Sequence, residues 1–376
     1  MKIGLNATCL NDRPSGAKQR FIGLYGNLVK RLPNAEFVVF EPADCRVGDW
    51  FDGAPNVSIR RTPLLSEGRV WKFINGLHYW HRALLREKLD IFEGFNLPLV
   101  KSPTGLTLLT VHDIRGMRCE SGYMERTAYS VFFERSLRAA DHVITVSEAM
   151  KREILELFPR IPISVIHNGL DTYAFNSLSE MDKQLVRRKY DLPADFILAV
   201  GHLERRKNYL CLVDAMAKLR DRGHYSNLLI IGNNSGELKA IQEKVKVSNL
   251  QGCVKFLSGL SDFEVRCVYR LCSLLVFPSS YEGFGIPILE SMAAERPMVL
   301  SDIPVFHEIT QNKGVYFPHD DSDAMAAAIE KVLSSGSERT RLIEYGKERV
   351  QDFDFYSLAG QLECLYKALL PQAMGW

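Results

Sequence analysis

Two glutamates flank a glycine-rich turn in the second half of the chain. Glu282 and Glu290 lie at the ends of the string EGFGIPILE, which follows an apolar run. Gly283 and Gly285 let backbone amides approach a ligand closely, and Pro287 suits the first turn of a helix. A helix N-terminus attracts anions and carboxylates accept hydrogen bonds, so the segment can bind an elongated ligand with phosphate and hydroxyl groups. The alternative is two ordinary solvated glutamates.

A second candidate site is the basic loop Arg205-Arg206-Lys207, which follows a strand-like run and Gly201. Adjacent cations between a strand and a helix suit a diphosphate, whose negative charge increases as its bond to a sugar breaks. The alternative is an exposed basic turn without a ligand.

The first half of the chain offers His112 and Gly16. His112 follows a predicted strand, at the edge where open α/β sheets bind ligands, and Asp113 is expected to fix the loop or the imidazole. Gly16 opens a predicted helix after the first strand. Lys18 and Arg20 lie in that helix. Each either contacts a phosphate or a second substrate, or is simply solvated.

Strand-like runs alternate with helical stretches along the whole chain, which indicates parallel sheets covered on both faces. In the first half the predicted strands are Lys2–Leu5, Ala35–Phe40, Ile91–Glu93, Thr107–Val111, His142–Val146 and Ile163–Ile166. In the second half they are Phe196–Val200, Asn227–Ile231, Val254–Leu257, Leu274–Phe277, Met298–Ser301 and Gly314–Phe317. Because the pattern occurs twice, we predict two doubly wound, Rossmann-like α/β domains.

The expected domains are residues 1–173 and residues 174–355. Residues 356–376 are predicted to form a final helix that packs back on the first domain. The boundary follows an Asn-Gly turn at Asn168, and a polar stretch separates it from the strand that begins at Phe196.

Composition excludes several classes of protein. The chain has 376 residues, 46% of them hydrophobic and 24% charged, with a net charge of +2, so a nucleic-acid binder is disfavoured. No cysteine pair has CxxC spacing, and no run reaches the length of a membrane span. We expect a cytoplasmic protein. The stretch Arg69–Lys88 has an apolar face, and an opposite face with Trp71, Arg82 and Arg86, so it either touches a membrane surface or packs on its own sheet.

The motifs together resemble glycosyltransferase family 4. The string from Glu282 to Glu290 matches the family pattern E-G-F-G-x-P-x-L-E, Arg206-Lys207-Asn208 matches its Arg-Lys-Asn, and Thr110-Val111-His112-Asp113 matches its T-x-H-D. The resemblance is dense from Phe196 to Phe317 and thin from Glu41 to Leu106. It implies the GT-B fold, with two Rossmann-like domains facing a cleft, and retention of anomeric configuration. It also implies that residues 1–173 form the acceptor-side domain and residues 174–355 the nucleotide-sugar-binding domain.

The resemblance also implies residue roles. The expected catalytic group consists of His112, Glu282, Arg206 and Lys207. Glu282 is expected to contact the transferred sugar, and Arg206 and Lys207 the donor phosphates. Glu290 is expected to contact the ribose. The expected donor-binding residues are Gly16, Gly201, Arg206, Lys207, Leu257, Gly259, Glu282, Gly283, Phe284, Gly285, Ile286 and Glu290. This chain departs from the family pattern at Ser15, which replaces a Gly, at His202, which stands where some members have Arg, and at Arg205, where many have Pro.

The expected reaction is transfer of a hexose from a nucleotide diphosphate sugar to a hydroxyl of a saccharide or lipid-linked saccharide. The motifs look most like bacterial enzymes of cell-surface polysaccharide or lipopolysaccharide synthesis, which favours mannose from GDP-mannose. We expect no metal and no other cofactor, because Arg206, Lys207 and a helix dipole can neutralise the diphosphate. The alternatives are a sugar-nucleotide epimerase, a phosphorylase, or a catalytically silent sugar-nucleotide-binding subunit.

Overall fold

The structure, a computed structural model, describes residues 1–13, 15–67, 79–95, 97–118 and 123–374. The chain divides into two compact units. The N-terminal unit comprises Met1–Gly169 together with Phe355–Trp376, and the C-terminal unit comprises Leu170–Asp354.

The N-terminal unit is built on a parallel sheet of seven strands in the order β3-β2-β1-β4-β5-β6-β7. Its strands are β1 (Lys2–Asn6), β2 (Glu36–Glu41), β3 (Val57–Arg61), β4 (Ile91–Gly94), β5 (Leu106–Val111), β6 (His142–Thr145) and β7 (Ile163–Val165). All six strands predicted in this half are present, with ends shifted by one residue. The edge strand β3 was not predicted, because its half-exposed sequence VSIRR carries no continuous apolar signal.

Helices cover the faces of this sheet. They are α1 (Gly16–Arg20), a π-helical turn (Phe21–Tyr25), α2 (Gly26–Arg31), a 3-10 turn (Val47–Phe51), α3 (residues 79–87), α4 (Arg115–Arg118), α5 (Tyr123–Ala139), α6 (Glu148–Leu157) and the terminal α16 (Phe355–Met374). On one face of the sheet, an apolar core lies between the strands, the segment Phe21–Val29 and α16. Gly23 permits this packing, since a Cβ there would lie 2.2 Å from the ring of Phe355.

The C-terminal unit contains a parallel sheet of six strands in the order β10-β9-β8-β11-β12-β13. The strands are β8 (Phe196–Val200), β9 (Asn227–Ile231), β10 (Val254–Leu257), β11 (Leu274–Phe277), β12 (Met298–Ser301) and β13 (Val315–Phe317). Five of the six have the predicted bounds, and the sixth begins one residue later than predicted. The expected α/β class with two doubly wound sheets is confirmed.

Helices of the C-terminal unit follow nearly every strand. They are α7 (Tyr173–Asn176), α8 (Glu180–Lys189), a 3-10 turn (Arg205–Lys207), α9 (Tyr209–Asp221), α10 (Leu238–Val247), α11 (Asp262–Leu271), α12 (Ile286–Ala293), α13 (Pro304–Thr310), α14 (Ser322–Ser334), α15 (Gly336–Arg349) and a 3-10 turn (Val350–Phe353). Serine side chains cap α8 and α11 through complete capping boxes, which explains why these helices begin at those residues.

The amphipathic stretch Arg69–Lys88 is only partly described. Residues 68–78, which include Trp71, lie outside the described residues. Over α3, Trp80 and Leu84 are buried against β2 and β4, whereas Arg82 and Arg86 are exposed. Within the described ranges of the chain, no helix is both long and apolar enough to cross a bilayer.

Candidate functional site

The turn after β11 brings the first predicted glutamate to the carboxyl edge of the C-terminal sheet. Residues 278–285 connect β11 to α12, and Gly285 precedes that helix with a φ of 129°, a backbone conformation that disfavours a side chain. A Cβ at Gly285 would also lie 3.0 Å from the ring of Phe306. Pro287 occupies the first turn of α12, as predicted. Gly285 is therefore required by the turn itself.

The basic loop after β8 depends on a second pair of glycines. Gly201 has a φ of 145°, and a Cβ there would lie 2.8 Å from Cε of Lys207. Gly232 is a neighbour that follows β9. A Cβ at residue 232 would lie 1.9 Å from the Gly201 carbonyl oxygen. The missing side chain of Gly232 therefore lets the two strand ends approach closely, and the missing side chain of Gly201 leaves the space through which Lys207 runs.

Hydrogen bonds to backbone carbonyl groups join the two loops. The Ser280 amide donates to the Arg206 carbonyl at 2.8 Å, and the Arg206 Nη1 donates to the Tyr281 carbonyl at 3.0 Å. Because β8 and β11 are adjacent in the sheet, their following loops meet at one edge. The two sequence motifs, 75 residues apart, thus form one site.

An ion cluster lies at the centre of this site. The Glu282 carboxylate lies 2.8 Å from Arg206 Nη1 and 2.6 Å from Lys207 Nζ, and Arg206 Nη2 lies 2.6 Å from Glu204. The side chains of Lys207 and Glu282 are only 9% and 11% exposed. The interpretation as an exposed basic turn is therefore wrong for Arg206 and Lys207, although Arg205 is exposed, and the interpretation of Glu282 as a solvated residue is also wrong. Loss of one member of such a buried pair typically costs about 3–5 kcal/mol, because the partner is left buried and uncompensated.

The electrostatics favour an ionised Glu282. Burial alone would raise its pKa, but the charges of Lys207 and Arg206 outweigh burial and hold the pKa of Glu282 below its ordinary value. Burial acts in the opposite sense on the partner and lowers the pKa of Lys207. The 2.6 Å contact and the Phe277 ring, 5.0 Å from Lys207 Nζ, both favour the charged ammonium, so we describe the pair as ionised.

The second glutamate lies inside α12 and is held separately. Glu290 is 8% exposed and accepts a hydrogen bond of 2.7 Å from the hydroxyl of Tyr269, a fully buried residue of α11. Burial and the Glu290 carboxylate raise the pKa of Tyr269, so its hydroxyl stays protonated and remains a donor. The interpretation of Glu290 as a helix-surface residue is wrong.

The other residues predicted in this unit have different surroundings. Phe284 is buried against Phe353, at 5.9 Å between ring centroids, and Ile286 is the half-buried first residue of α12. Leu257 ends β10, and its carbonyl accepts from the Gly232 amide. Gly259 is exposed with a φ of 71° and open space around its Cα.

Two predicted residues belong to the N-terminal unit. His112 follows β5 and is partly buried. Burial, together with the charge of Arg20, lowers the pKa of His112 to about 3, so its imidazole is neutral at physiological pH. The Asp113 carboxylate accepts from the Arg115 amide at 3.1 Å, which confirms that it fixes the loop.

Gly16 begins α1, and the Ser15 hydroxyl caps that helix by accepting from the Lys18 amide. Arg20 is 2% exposed, and its Nη1 donates to the carbonyls of Ile166 and His167. The interpretation of Arg20 as a solvated helix residue is therefore wrong.

Several residues of the site were not predicted. Glu204 pairs with Arg206, Gly232 makes room for Gly201, and Tyr269 holds Glu290. A glycine directly after a strand, such as Gly232, was a usable signal. The partnerships of Glu204 and Tyr269 depend on strand order and helix rotation, which no local pattern gives.

Throughout the part of the chain that the structure describes, no group of three or more His, Cys, Asp or Glu residues forms a candidate metal site. The sequence Asp352-Phe353-Asp354 has two carboxylates but lies at the end of the 3-10 turn Val350–Phe353, where Asp352 pairs with Arg349 at 2.6 Å and Phe353 is buried.

Two family descriptions match the chain. One described as "Glycosyltransferase Family 4" covers residues 25–173, and one described as "Glycosyl transferases group 1" covers residues 182–349. The first therefore matches the N-terminal unit, and the second matches most of the C-terminal unit, including Arg206, Lys207, Glu282 and Glu290.

Named relatives agree with this assignment. The O-antigen chain mannosyltransferase RfbU of Salmonella typhimurium is 30% identical over 261 residues, 68% of this chain and 69% of that protein. The O-antigen chain mannosyltransferase B of Escherichia coli is 28% identical over 326 residues, 83% of this chain and 82% of that protein. Glycogen synthases and a sucrose-phosphate synthase also match.

A solved structure with the same fold is Anabaena Alr3699/HepE in complex with UDP and glucose. It has a TM-score of 0.77 at 19% identity and covers 98% of this chain and 100% of that one. This likeness identifies the fold as GT-B. With the fold, the two family matches and the 30% identical relative in agreement, the chain belongs to glycosyltransferase family 4 and is a glycosyltransferase.

Proposed function

We propose that this glycosyltransferase transfers a hexose with retention of anomeric configuration from a nucleotide diphosphate sugar to a saccharide hydroxyl. The observation that carries the proposal is the buried cluster of Glu282 with Arg206 and Lys207 at the carboxyl edge of the sheet. Two cations fixed by backbone and ionic contacts can stabilise a leaving diphosphate without reorganising during the reaction.

Each predicted residue then has a role in the reaction. Arg206 and Lys207 stabilise the charge that develops on the diphosphate, and the start of α12 adds backbone amides. Glu282 accepts hydrogen bonds from hexose hydroxyls, and Glu290 accepts them from the ribose. Neutral His112 donates or accepts a hydrogen bond at the sugar and does not supply a positive charge.

The proposed bond changes balance without a covalent enzyme intermediate. The bond between the anomeric carbon and the diphosphate oxygen breaks, and the acceptor oxygen attacks the same face of that carbon. The departing phosphate oxygen takes the acceptor proton, giving a nucleoside diphosphate and a glycoside. We also propose that no metal takes part, because Arg206 and Lys207 supply the positive charge at the leaving group.

For the donor we propose mannose from GDP-mannose. Two of the matched relatives are named O-antigen chain mannosyltransferases, which supports mannose and an acceptor that is a saccharide or lipid-linked saccharide of a cell-surface polysaccharide. The residues around Leu257 and Gly259 are proposed to seat the base through backbone groups, which any of several bases can engage.

The test is a panel of UDP-, GDP-, ADP- and dTDP-sugars incubated with the purified protein in EDTA, with release of nucleoside diphosphate followed over time. The expected result is slow release of nucleoside diphosphate from GDP-mannose, with mannose, and not an epimer of mannose, as the free sugar. Release of an epimerised sugar would instead identify an epimerase. Release from no donor, despite a nucleotide-induced shift in melting temperature, would indicate a catalytically silent sugar-nucleotide-binding subunit.

A further inference from the structure

A cavity lies in the N-terminal unit, at the carboxyl ends of its first three strands. It has a volume of about 360 Å³ and is open to solvent. Asp12 follows β1, the segment from Ala43 to Trp50 follows β2, and Arg61 ends β3. Ligands of open parallel sheets bind at this edge. None of the residues predicted to bind the donor lines the cavity.

Some of the lining groups form hydrogen bonds within the protein. The two carboxylate oxygens of Asp44 accept from the amide and hydroxyl of Ser66 at 2.7 and 2.8 Å. Arg61 Nη2 donates to the Ala43 carbonyl at 2.7 Å, and Cys45 is buried. These contacts fix the wall of the cavity, so its shape exists before any ligand binds.

Other groups in the lining are available to a ligand. Arg46 and Asp49 are exposed, and among the described residues neither side chain has a hydrogen bond or an ion pair. Arg61 keeps further N–H donors beyond the one that holds Ala43. The cavity therefore offers planar donor groups and a carboxylate acceptor side by side.

Trp50 gives the cavity an oriented aromatic surface. Its half-buried ring packs edge-on against Phe21 at 6.3 Å, and Lys18 Nζ lies 4.9 Å from the ring centroid. The side chain is fixed from two sides, and a rigid aromatic ring contributes apolar contact area at low entropic cost. Such a ring suits the C–H face of a pyranose.

The charges of the lining nearly cancel. Three carboxylates, from Asp12, Asp44 and Asp49, stand against two guanidinium groups, with the Lys18 ammonium beside them. A phosphate would face the carboxylates, and a cation would face the guanidinium groups. A neutral polyol satisfies both kinds of group at once, because each hydroxyl both donates and accepts.

We propose that this cavity is a binding subsite for a neutral sugar residue, with Arg46, Asp49 and Arg61 bonded to its hydroxyls and Trp50 against its apolar face. The inference deepens the proposed function, on which it rests for the view that the acceptor is a saccharide. It names the part of this chain that recognises that acceptor.

The experiment is saturation-transfer NMR on the full-length protein with methyl α-mannoside, methyl β-galactoside and N-acetylglucosamine. Glucuronic acid and inorganic phosphate serve as anionic probes. At least one neutral sugar should receive saturation from the wild-type protein. Asp49→Ala and Arg46→Ala should each weaken that binding about tenfold, since each removes a charged hydrogen-bonding group. Asp320→Ala and Arg160→Ala, at exposed positions outside the cavity, are the matched controls and should bind as the wild type does.

Three results would overturn the proposal: no transfer to any neutral sugar, transfer that Asp49→Ala and Arg46→Ala leave intact, or transfer to glucuronic acid or phosphate alone. Donor hydrolysis by the same wild-type preparation separates the two hypotheses. Hydrolysis without sugar binding contradicts only the subsite. Sugar binding that depends on Asp49, with no donor consumed, supports the subsite and contradicts the proposed function.

Discussion

Lys207 Nζ lies 2.6 Å from the Glu282 carboxylate, in a buried contact between two loops that strand order alone brings together. The lysine reaches that position by running past the Cα of Gly201. The contact therefore depends on a residue that carries no functional group, and this dependence can be tested directly.

Gly201→Ala should impair catalysis as well as stability. A Cβ at residue 201 would lie 2.8 Å from Lys207 Cε, so the lysine must shift, and a shift of about 1 Å at a leaving-group contact can reduce turnover ~100-fold. Gly223→Ala is the matched control, because its φ of 87° also lies in the region that disfavours a side chain, while open space surrounds it. Initial rates of nucleoside diphosphate release and thermal melts should be measured for both variants. Equal losses of turnover would contradict a specific role for the space at Gly201.

Lys207→Ala should reduce turnover at least ~100-fold if its ammonium stabilises the departing diphosphate. Arg205→Ala removes a neighbouring exposed cation and should retain most of the activity. The measurement is kcat for nucleoside diphosphate release, at a temperature where circular dichroism shows both variants folded. A Lys207→Ala rate within a few-fold of the wild-type rate would remove the lysine from the mechanism.

Glu282→Gln separates two functions of the same carboxylate. In the structure Glu282 neutralises Arg206 and Lys207, and loss of its charge leaves the cations with a stronger field for phosphate. The variant should therefore bind the product nucleoside diphosphate more tightly, by roughly 3- to 10-fold, and should turn over more slowly. Isothermal titration with GDP measures the first effect, with exposed Glu243→Gln as the charge-matched control. Weaker product binding would show that Glu282 mainly keeps the cations in place.

The fold could be predicted wherever a strand contains an apolar run. β8, β9, β11 and β12 have the predicted bounds, because buried parallel strands form continuous apolar runs between turns. β10 is a half-buried edge strand and was also predicted, because three of the four residues in its sequence VKFL are apolar. β3, at the edge of the other sheet, was missed because only two of the five residues in VSIRR are apolar and a serine separates them.

The candidate site could be predicted as a set of residues but not as a set of contacts. Glu282, Arg206 and Lys207 were each identified from local strings, whereas their mutual contact follows from β8 lying beside β11. Strand order is a property of the whole sheet, and no local string encodes it. The same holds for Tyr269, whose hydroxyl reaches Glu290 from a different helix.

The last prediction concerns the loss of stability in acid that His112 causes. Its folded-state pKa of about 3 lies below the ordinary value of 6.5, so between these values the unfolded chain binds a proton that the folded chain does not. The free energy of unfolding should therefore fall as pH decreases through this window. The contribution of His112 is full above about pH 6.5 and is lost progressively toward pH 3. His112→Asn, which cannot titrate, should reduce the acid-dependent loss by roughly 1–3 kcal/mol, allowing for the partial exposure of the ring.

Urea unfolding of the wild type and of His112→Asn at several pH values from 7 to 4 measures this difference. His319→Asn, at an exposed histidine of the C-terminal unit, is the control for loss of an imidazole. A pH dependence that is parallel for wild type and His112→Asn would show that folding leaves the pKa of His112 near its ordinary value of 6.5. The imidazole would then be partly protonated near neutral pH, and the proposal that His112 acts on the sugar only as a neutral hydrogen-bonding group would be wrong.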